Sequence, residues 1–263
     1  NRAPDRHAAY VGPSAFAHKG GLHVSAVQKD PRTYEHVTPE SVGNRRQILV
    51  SDQAGKSNIL ARLALLNIRV DADDTRIGRL LEDVKAREYL GYAYDGAEAS
   101  FELLARRALG QVPNYFDVDS FRVWVERRHN AKGELITVSE AVVRMKVGSE
   151  IFHNVATGNG PVNALDQAMR KDLGRYSAVL QDLELADYKV RILNGGTEAV
   201  TRVVIESKDG EGRRWSTVGV SANIMDASFE ALSDSICYKL YRDRKSTRLN
   251  SSHVSESRMP SSA

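Results

Sequence analysis

The sequence lacks several features that would assign it quickly to a class of protein. Its single cysteine, Cys237, cannot form an internal disulfide, and no apolar run approaches the roughly 20 residues needed to cross a bilayer. Lys and Arg total 37 against 34 Asp and Glu, so a formal net charge of only +3 gives no argument for nucleic acid. No charged-then-apolar leader opens the chain. These absences predict a protein of the reducing cytoplasm that binds neither membrane nor nucleic acid.

The two ends of the sequence do not resemble the ends of a whole protein. Asn1 is not a natural start, and the first dozen residues have the character of the interior of a longer chain. Residues 244–263 are rich in serine and have almost no apolar spacing, so no burial would offset the entropy cost of ordering them. We expect residues 244–263 to be a disordered, non-native tail, which resembles translated sequencing-adapter read-through.

Helical spacing dominates the first half of the chain. Within residues 51–112 the apolar residues fall on three stripes, which begin at Ile59, Ile77 and Phe101. Ahead of them, Thr38-Pro39-Glu40 has the order of an N-cap, a first-turn proline and a first-turn acid, and so predicts another short helix. We therefore expect a linker subdomain over residues 1–50 and a helical linker subdomain over residues 51–112.

After Pro113 the apolar residues alternate with a period of two. Phe121 and Val123 share one face of a predicted strand, and a second strand follows the turn at residues 130–133. A third strand then leads into a helix that Gly160-Pro161 opens. This order predicts one βββα unit.

The same order repeats further along the chain. Its predicted elements are three strands near 187–193, 199–207 and 213–221 and a helix over about 223–240. The fold class is therefore predicted to be α+β, with the helical linker followed by a pseudo-twofold domain of two βββα units over residues 113–243. Sheet surface that such a pair leaves uncovered favours a homodimer.

The densest motif in the chain is the segment AFAHKGGLH at residues 15–23, which Tyr34-Glu35-His36 and residues 39–44 follow. Together with residues 55–58 and 158–161, these segments resemble the isopropylmalate/citramalate/homocitrate synthase family. The resemblance runs from about Val11 to about Arg242. Three later segments resemble the citramalate branch more than the leucine-pathway branch, namely residues 201–207, 215–221 and 234–240.

The resemblance implies an acyltransferase that condenses acetyl-CoA with a 2-oxo acid, which is pyruvate in the citramalate branch, at a divalent metal inside a TIM barrel. The metal would polarise the carbonyl of the keto acid, and a base would remove a proton from the acetyl methyl group. The acidic and histidine metal motifs of that barrel are missing from these 263 residues. We therefore expect no metal site in this chain and no catalysis by it alone.

Two positions match residues that members of the family send from the linker into the barrel, often the barrel of the partner subunit. His23 matches an acid/base histidine and Tyr34 matches a tyrosine that contacts the reacting groups, so both are predicted to be catalytic. A free imidazole has a pKa of about 6.5, which suits proton transfer near neutrality. The alternative for His23 and Tyr34 is a purely local hydrogen-bonding role. The same two possibilities apply to His18 and His36 of this segment.

The helix entry at Gly158-Asn159-Gly160-Pro161 is a second candidate site. Backbone N–H groups without helical partners favour an anion such as a carboxylate there. The resemblance implies that this loop helps to form a pocket for an end-product amino acid near the dimer interface. The predicted effector-binding residues are Gly158, Asn159, Gly160 and, at the matching place before the second helix, Asn223. The alternative is that Gly160-Pro161 only starts a helix.

The effector that the resemblance implies is isoleucine for the citramalate branch and leucine for the isopropylmalate branch. An aliphatic side chain needs an apolar wall, for which Val155, Val162 and Ile224 are candidates. A free-standing amino-acid-binding and dimerisation module is the alternative from another functional class.

Overall fold

The computed structural model describes residues 5, 8–12, 14–18, 21–48, 55–71, 73–193 and 199–256. They form two compact units, Asn1–Gly96 with Leu104–Leu109, and Ala97–Leu103 with Gly110–Ala263. Residues 194–198, between two of the predicted strands, lie outside the described residues, and so do residues 257–263 of the predicted tail.

The first unit consists of short elements. In chain order they are β1 (Ala17–His18), α1 (Gly21–Lys29), a 3₁₀ helix (Pro31–Thr33), a second 3₁₀ helix (Pro39–Val42), β2 (Gln47–Ile48), α2 (Lys56–Leu65), α3 (Thr75–Tyr89) and a third 3₁₀ helix (Tyr94–Gly96). β1 and β2 pair in parallel. Thr38 precedes the second 3₁₀ helix as predicted, but its side chain caps nothing; instead, the Ser41 hydroxyl donates to the Thr38 carbonyl at 2.7 Å.

Two of the predicted helical stripes supply buried residues of the first unit. Ile59 in α2 and Ile77 in α3 are both fully buried. α3 begins at Thr75 because the Asp74 carboxylate accepts the backbone N–H of Arg76 at 2.9 Å, a standard N-cap contact. The amphipathic spacing alone was therefore sufficient to locate both helices.

The second unit contains the repeated order that the sequence predicted. Its elements are α4 (Glu98–Ala108, which it shares with the first unit), β3 (Asp117–His129), β4 (Leu135–Val147), β5 (Glu150–Gly158), α5 (Pro161–Lys171), a 3₁₀ helix (Gly174–Leu180), β6 (Glu184–Ile192), β7 (Thr201–Lys208), β8 (Arg214–Ser221) and α6 (Ile224–Glu256). The strands form two antiparallel sheets, β3-β4-β5 and β6-β7-β8. The α+β class and the two successive βββα units are confirmed.

The second unit has one hydrophobic core to which both repeats contribute. Inward and outward positions alternate along β7, so Val203 and Ile205 are fully buried. Trp215 of β8 is 2% exposed and donates its indole N–H to the Ser235 hydroxyl of α6 at 3.1 Å. Helices α5 and α6 both contribute to this core, so each packs on the inner face of a sheet.

α6 is longer than the sequence predicted. It runs from Ile224 to Glu256, whereas the apolar spacing indicated an end near Leu240 and a tail without structure from residue 244. Residues 224–256 contain no glycine or proline, so none of them interrupts the helical hydrogen bonds. Cys237 is buried on this helix. Within the described ranges, no helix has the length and apolar character needed to cross a membrane.

Candidate functional site

The structure brings the two predicted catalytic residues into contact. His23 lies near the start of α1, and Tyr34 follows the 3₁₀ helix Pro31–Thr33 directly. Their ring centroids are 4.3 Å apart and the ring planes are inclined by 35°. Both side chains are exposed. The pair therefore presents an imidazole whose orientation is limited by an aromatic neighbour but which remains accessible from solvent.

The return of the chain from His23 to Tyr34 is encoded locally. The Asp30 carboxylate accepts the backbone N–H of Arg32 at 3.0 Å, and the Thr33 hydroxyl donates to the Asp30 carbonyl at 2.8 Å. Pro31 occupies the first position of the 3₁₀ helix, where its missing N–H costs nothing. These features end α1 and reverse the chain within a few residues.

A buried carboxylate lies directly after Tyr34 in the sequence. The Glu35 side chain is only 2% exposed and accepts hydrogen bonds from Arg46 Nε at 2.7 Å, Arg46 Nη2 at 2.5 Å and His18 Nε2 at 2.9 Å. The hydrogen-bonded Arg46 guanidinium lowers the pKa of Glu35 from its ordinary value against the opposing effect of burial, and His18 adds to the lowering. Glu35 is thus held as a carboxylate.

The remaining histidines of this segment have local partners. His18 is engaged with Glu35, and His36 Nε2 lies within hydrogen-bond distance of the Tyr10 hydroxyl at 3.3 Å. Over the part of the chain that the structure describes, no group of three or more His, Cys, Asp or Glu side chains could hold a metal ion.

The predicted effector loop is a close contact between a strand and a helix. At Gly158 a Cβ atom would lie 2.5 Å from the backbone nitrogen of Ala164, so only glycine allows α5 to approach the end of β5. The backbone N–H of Asn159 donates to Asn163 Oδ1 at 3.2 Å. Gly160 is the N-cap residue and no side chain caps this helix start. An anion could therefore replace the missing capping group.

Asn223 occupies the matching place before α6 but is used differently. Its side-chain oxygen accepts the backbone N–H of Met225 at 2.8 Å, so Asn223 caps α6 itself. Of the three candidate wall residues, Val162 and Ile224 lie in the first turns of α5 and α6. Val155 borders a cavity of about 670 Å³ beside the opposite end of α5, where its carbonyl accepts a hydrogen bond from Lys171. The structure therefore does not place Val155 with Gly160.

Sequence reasoning missed Glu35 and Arg46 as members of the site. Glu35 belongs to the Tyr34-Glu35-His36 motif, and its position next to Tyr34 was the sequence signal that could have indicated a role in the site. Arg46 had none, because only the parallel pairing of β1 with β2 brings it near His18.

Comparison with known families places both halves of the chain. Residues 95–240 match the LeuA allosteric (dimerisation) domain, and residues 10–88 match the homocitrate synthase post-HMGL domain-like family. The first match covers more than half of the sequence and contains both βββα units up to Leu240 of α6. The chain belongs to the LeuA allosteric domain family.

Several curated synthases are similar to this chain over most of its length. The (R)-citramalate synthase of Geobacter sulfurreducens is 53% identical over 93% of this chain and 46% of its own length. That of Aquifex aeolicus is 48% identical over 91% of this chain and 45% of its own length. The 2-isopropylmalate synthase of Methanocaldococcus jannaschii is 30% identical over 87% of this chain and 42% of its own length. This chain thus spans about half the length of these relatives.

Proposed function

We propose that this chain is the carboxy-terminal linker and allosteric part of a cytoplasmic (R)-citramalate synthase, which condenses acetyl-CoA with pyruvate in isoleucine biosynthesis. The observation that supports the proposal is the near-complete match of the chain to proteins of that name, with higher identity than to the 2-isopropylmalate synthase. In this proposal residues 1–50 follow a catalytic barrel, residues 51–112 link it to the regulatory domain, and residues 113–243 form that domain.

His23 and Tyr34 are the residues through which this chain would contribute to the reaction. Their exposed, mutually packed rings are free to enter a barrel, and the imidazole can accept or donate a proton. In this role His23 exchanges a proton with the reacting groups, while Tyr34 contacts those groups and packs against the imidazole. A divalent metal in the barrel would polarise the keto carbonyl, and the described residues of this chain offer no cluster that could hold it.

The regulatory role rests on the start of α5. The unfilled cap at Gly160 suits the carboxylate of an amino acid, with Gly158 and Asn159 forming the loop and Val162 beside it. Asn223 would take part from the start of the second repeat. We propose isoleucine as the effector, because feedback by the end product matches the citramalate branch that the identities favour.

A homodimer is proposed on an uncovered part of the hydrophobic core. Val190 pairs with the buried Val203, so it faces the core side of its sheet, yet it is 44% exposed. Ile192, at the end of β6, is 64% exposed, and Ile224, at the start of α6, is 43% exposed. We call Val190, Ile192 and Ile224 the open end of the core. A second copy would cover it, in agreement with a domain described as a dimerisation domain.

Calorimetric titration of the chain with isoleucine and with leucine tests the effector assignment. Isoleucine should bind more tightly, and a preference for leucine would assign the chain to the 2-isopropylmalate branch.

The substitution Gly160→Asp tests the location of the effector site. It should abolish binding without loss of stability, because Gly160 has extended backbone and open space around it. The new carboxylate would cap α5 and repel the effector. Ala131→Asp, in the exposed β3–β4 turn, is the matched control and should bind normally. Binding retained by Gly160→Asp would move the site elsewhere.

A further inference from the structure

The Glu35 carboxylate is almost completely buried, although it lies in a segment of short elements whose neighbouring residues are exposed. It accepts three hydrogen bonds, two from the forked guanidinium of Arg46 and one from His18. A buried carboxylate is costly unless such donors surround it, and a bidentate guanidinium also fixes its orientation. The three side chains therefore act as one rigid cluster, which we call the Glu35 cluster: Glu35, Arg46 and His18.

The Glu35 cluster connects the elements that carry the two predicted catalytic rings. His18 ends β1, which precedes α1 and His23, and Arg46 directly precedes β2. The backbone N–H of Gln47 also donates to the Phe16 carbonyl at 2.9 Å, so the two strands are held together independently. Glu35 attaches the segment that carries Tyr34 to this strand pair.

The neighbouring residues Tyr34 and Glu35 differ in exposure. Glu35 is buried, whereas Tyr34 is 49% exposed and its ring packs against that of His23 at a tilt of 35°. The backbone N–H groups of both residues donate to the Pro31 carbonyl, at 3.2 and 2.9 Å. An exposed ring has little of its own to hold it, so its position is set by the neighbouring side chain that is anchored.

We propose that Glu35 is a positioning residue that keeps the ring of Tyr34 against the ring of His23 by anchoring the intervening turn to Arg46 and His18. The inference rests on the proposed function for its catalytic meaning, but the geometric claim concerns this chain alone. A substitution that removes the anchor should release Tyr34 from His23 while the rest of the fold persists.

The test is the NMR chemical shift of the His23 imidazole protons in the intact chain. The Tyr34 ring should displace these shifts, and Tyr34→Ala defines the displacement by removing it. Glu35→Gln should remove most of this displacement of the His23 shifts. Arg46→Met should do the same by a second route, which keeps the carboxylate. Glu82→Gln, an exposed acid of α3, is the matched control and should leave the shifts unchanged. The methyl signals of Ile59 and Ile77, buried in α2 and α3, report that the first unit remains folded.

The outcomes separate this inference from the proposed function. Unchanged His23 shifts in Glu35→Gln and Arg46→Met, with a clear change in Tyr34→Ala, would overturn the positioning role. Unchanged shifts in Tyr34→Ala would also overturn it, since there would be no ring contact to maintain. In a fusion with a catalytic barrel, Glu35→Gln should lower kcat about tenfold with little change in KM for pyruvate, a loss within the usual range for mispositioned groups. Failure of the barrel fusion to react would contradict the proposed function and leave the NMR result intact.

Discussion

Gly219 of β8 lies so close to Ala227 of α6 that a Cβ atom on Gly219 would be 2.0 Å from the Ala227 carbonyl oxygen. The obstructing atom belongs to the backbone of a helix and cannot rotate away. Helix α6 therefore packs on the second sheet at a distance that only glycine permits, as α5 does at Gly158 on the first sheet.

Gly219→Ala should consequently destabilise the second unit by about 3 kcal/mol or more, at the upper end of the usual range for overpacking. Thermal unfolding followed by the fluorescence of the nearby Trp215 would measure the loss. Gly78→Ala is the control, because Gly78 lies inside α3 with open space around it and alanine favours helix there by up to about 1 kcal/mol. Equal Trp215 transitions for Gly219→Ala and the unmodified chain would contradict the close packing.

A buried ion network in the second unit predicts a defined pH dependence. Lys239 has a side chain that is 3% exposed and lies 3.0 Å from Asp182, 3.1 Å from Asp243 and 3.6 Å from Asp209. Burial alone would raise the pKa of Asp209, but hydrogen bonds from Arg213 and the charge of Lys239 outweigh it, so that pKa is lowered. The pKa of Asp182 is lowered in the same way, with Lys239 as the main opponent of burial.

Carboxyl groups with a lowered folded pKa stabilise the fold above their unfolded pKa of about 3.9, and this stabilisation is lost as the pH falls through the folded value. Lys239→Met should therefore cost about 1.5–3 kcal/mol at neutral pH, since Asp182 and Asp243 lose the charged hydrogen-bond donor between them while Asp209 keeps Arg213. The cost should shrink below about pH 4, where the partners become protonated. Urea unfolding at several pH values would measure it.

The control for Lys239→Met is Lys189→Met, which removes an exposed ion pair with Asp187. Solvent screens such pairs, so this change should cost less than about 1 kcal/mol at any pH. A cost for Lys239→Met that stayed constant from neutral pH to pH 3 would show that lost packing, and not charge, is responsible.

The proposed role of His23 predicts a large effect on turnover. In a fusion that replaces the matched carboxy-terminal region of the Geobacter sulfurreducens relative with this chain, His23→Ala should lower kcat about a hundredfold or more. Release of the free thiol of CoA from acetyl-CoA and pyruvate would measure it. His153→Ala, an exposed histidine of β5, should react at the unmodified rate. Full activity of His23→Ala would remove this residue from the mechanism.

The open end of the core predicts which substitutions break the proposed dimer. Ile192→Glu or Ile224→Glu should convert a dimer into a species with the chain mass of 29.1 kDa in sedimentation equilibrium, because a charge would have to be buried in the interface. Ile151→Glu, at an exposed position of β5, should leave the dimer intact. If only Ile151→Glu dissociated the dimer, the interface would lie on that strand instead.

The order of elements followed from the local pattern of residues. The period-two alternation of β7 and the three-to-four spacing of α3 report directly which positions face a core, so the sequence alone predicts both elements. The end of α6 was not predicted, because a decline in apolar spacing does not stop a helix that contains no glycine or proline.

Among the candidate site residues, His23 and Tyr34 were found from their motifs, but their contact could not be. Sequence spacing does not fix the distance between residues joined by a reversing turn, and here the Asp30 cap and the anchored Glu35 set it. The same holds for Asn223, whose likeness to Asn159 in sequence position conceals a different use as a helix cap.

The sequence by itself determined the α+β class and the repeated βββα order, because both depend on local periodicity. Its short motifs also predict His23 and Tyr34 as catalytic residues. Only the tertiary structure decided that Glu35 is enclosed by Arg46 and His18, that Lys239 gathers three carboxylates, and that Val190 is left uncovered. These facts depend on which distant segments pack together. That packing is a property of the whole fold, and no local pattern of residues contains it.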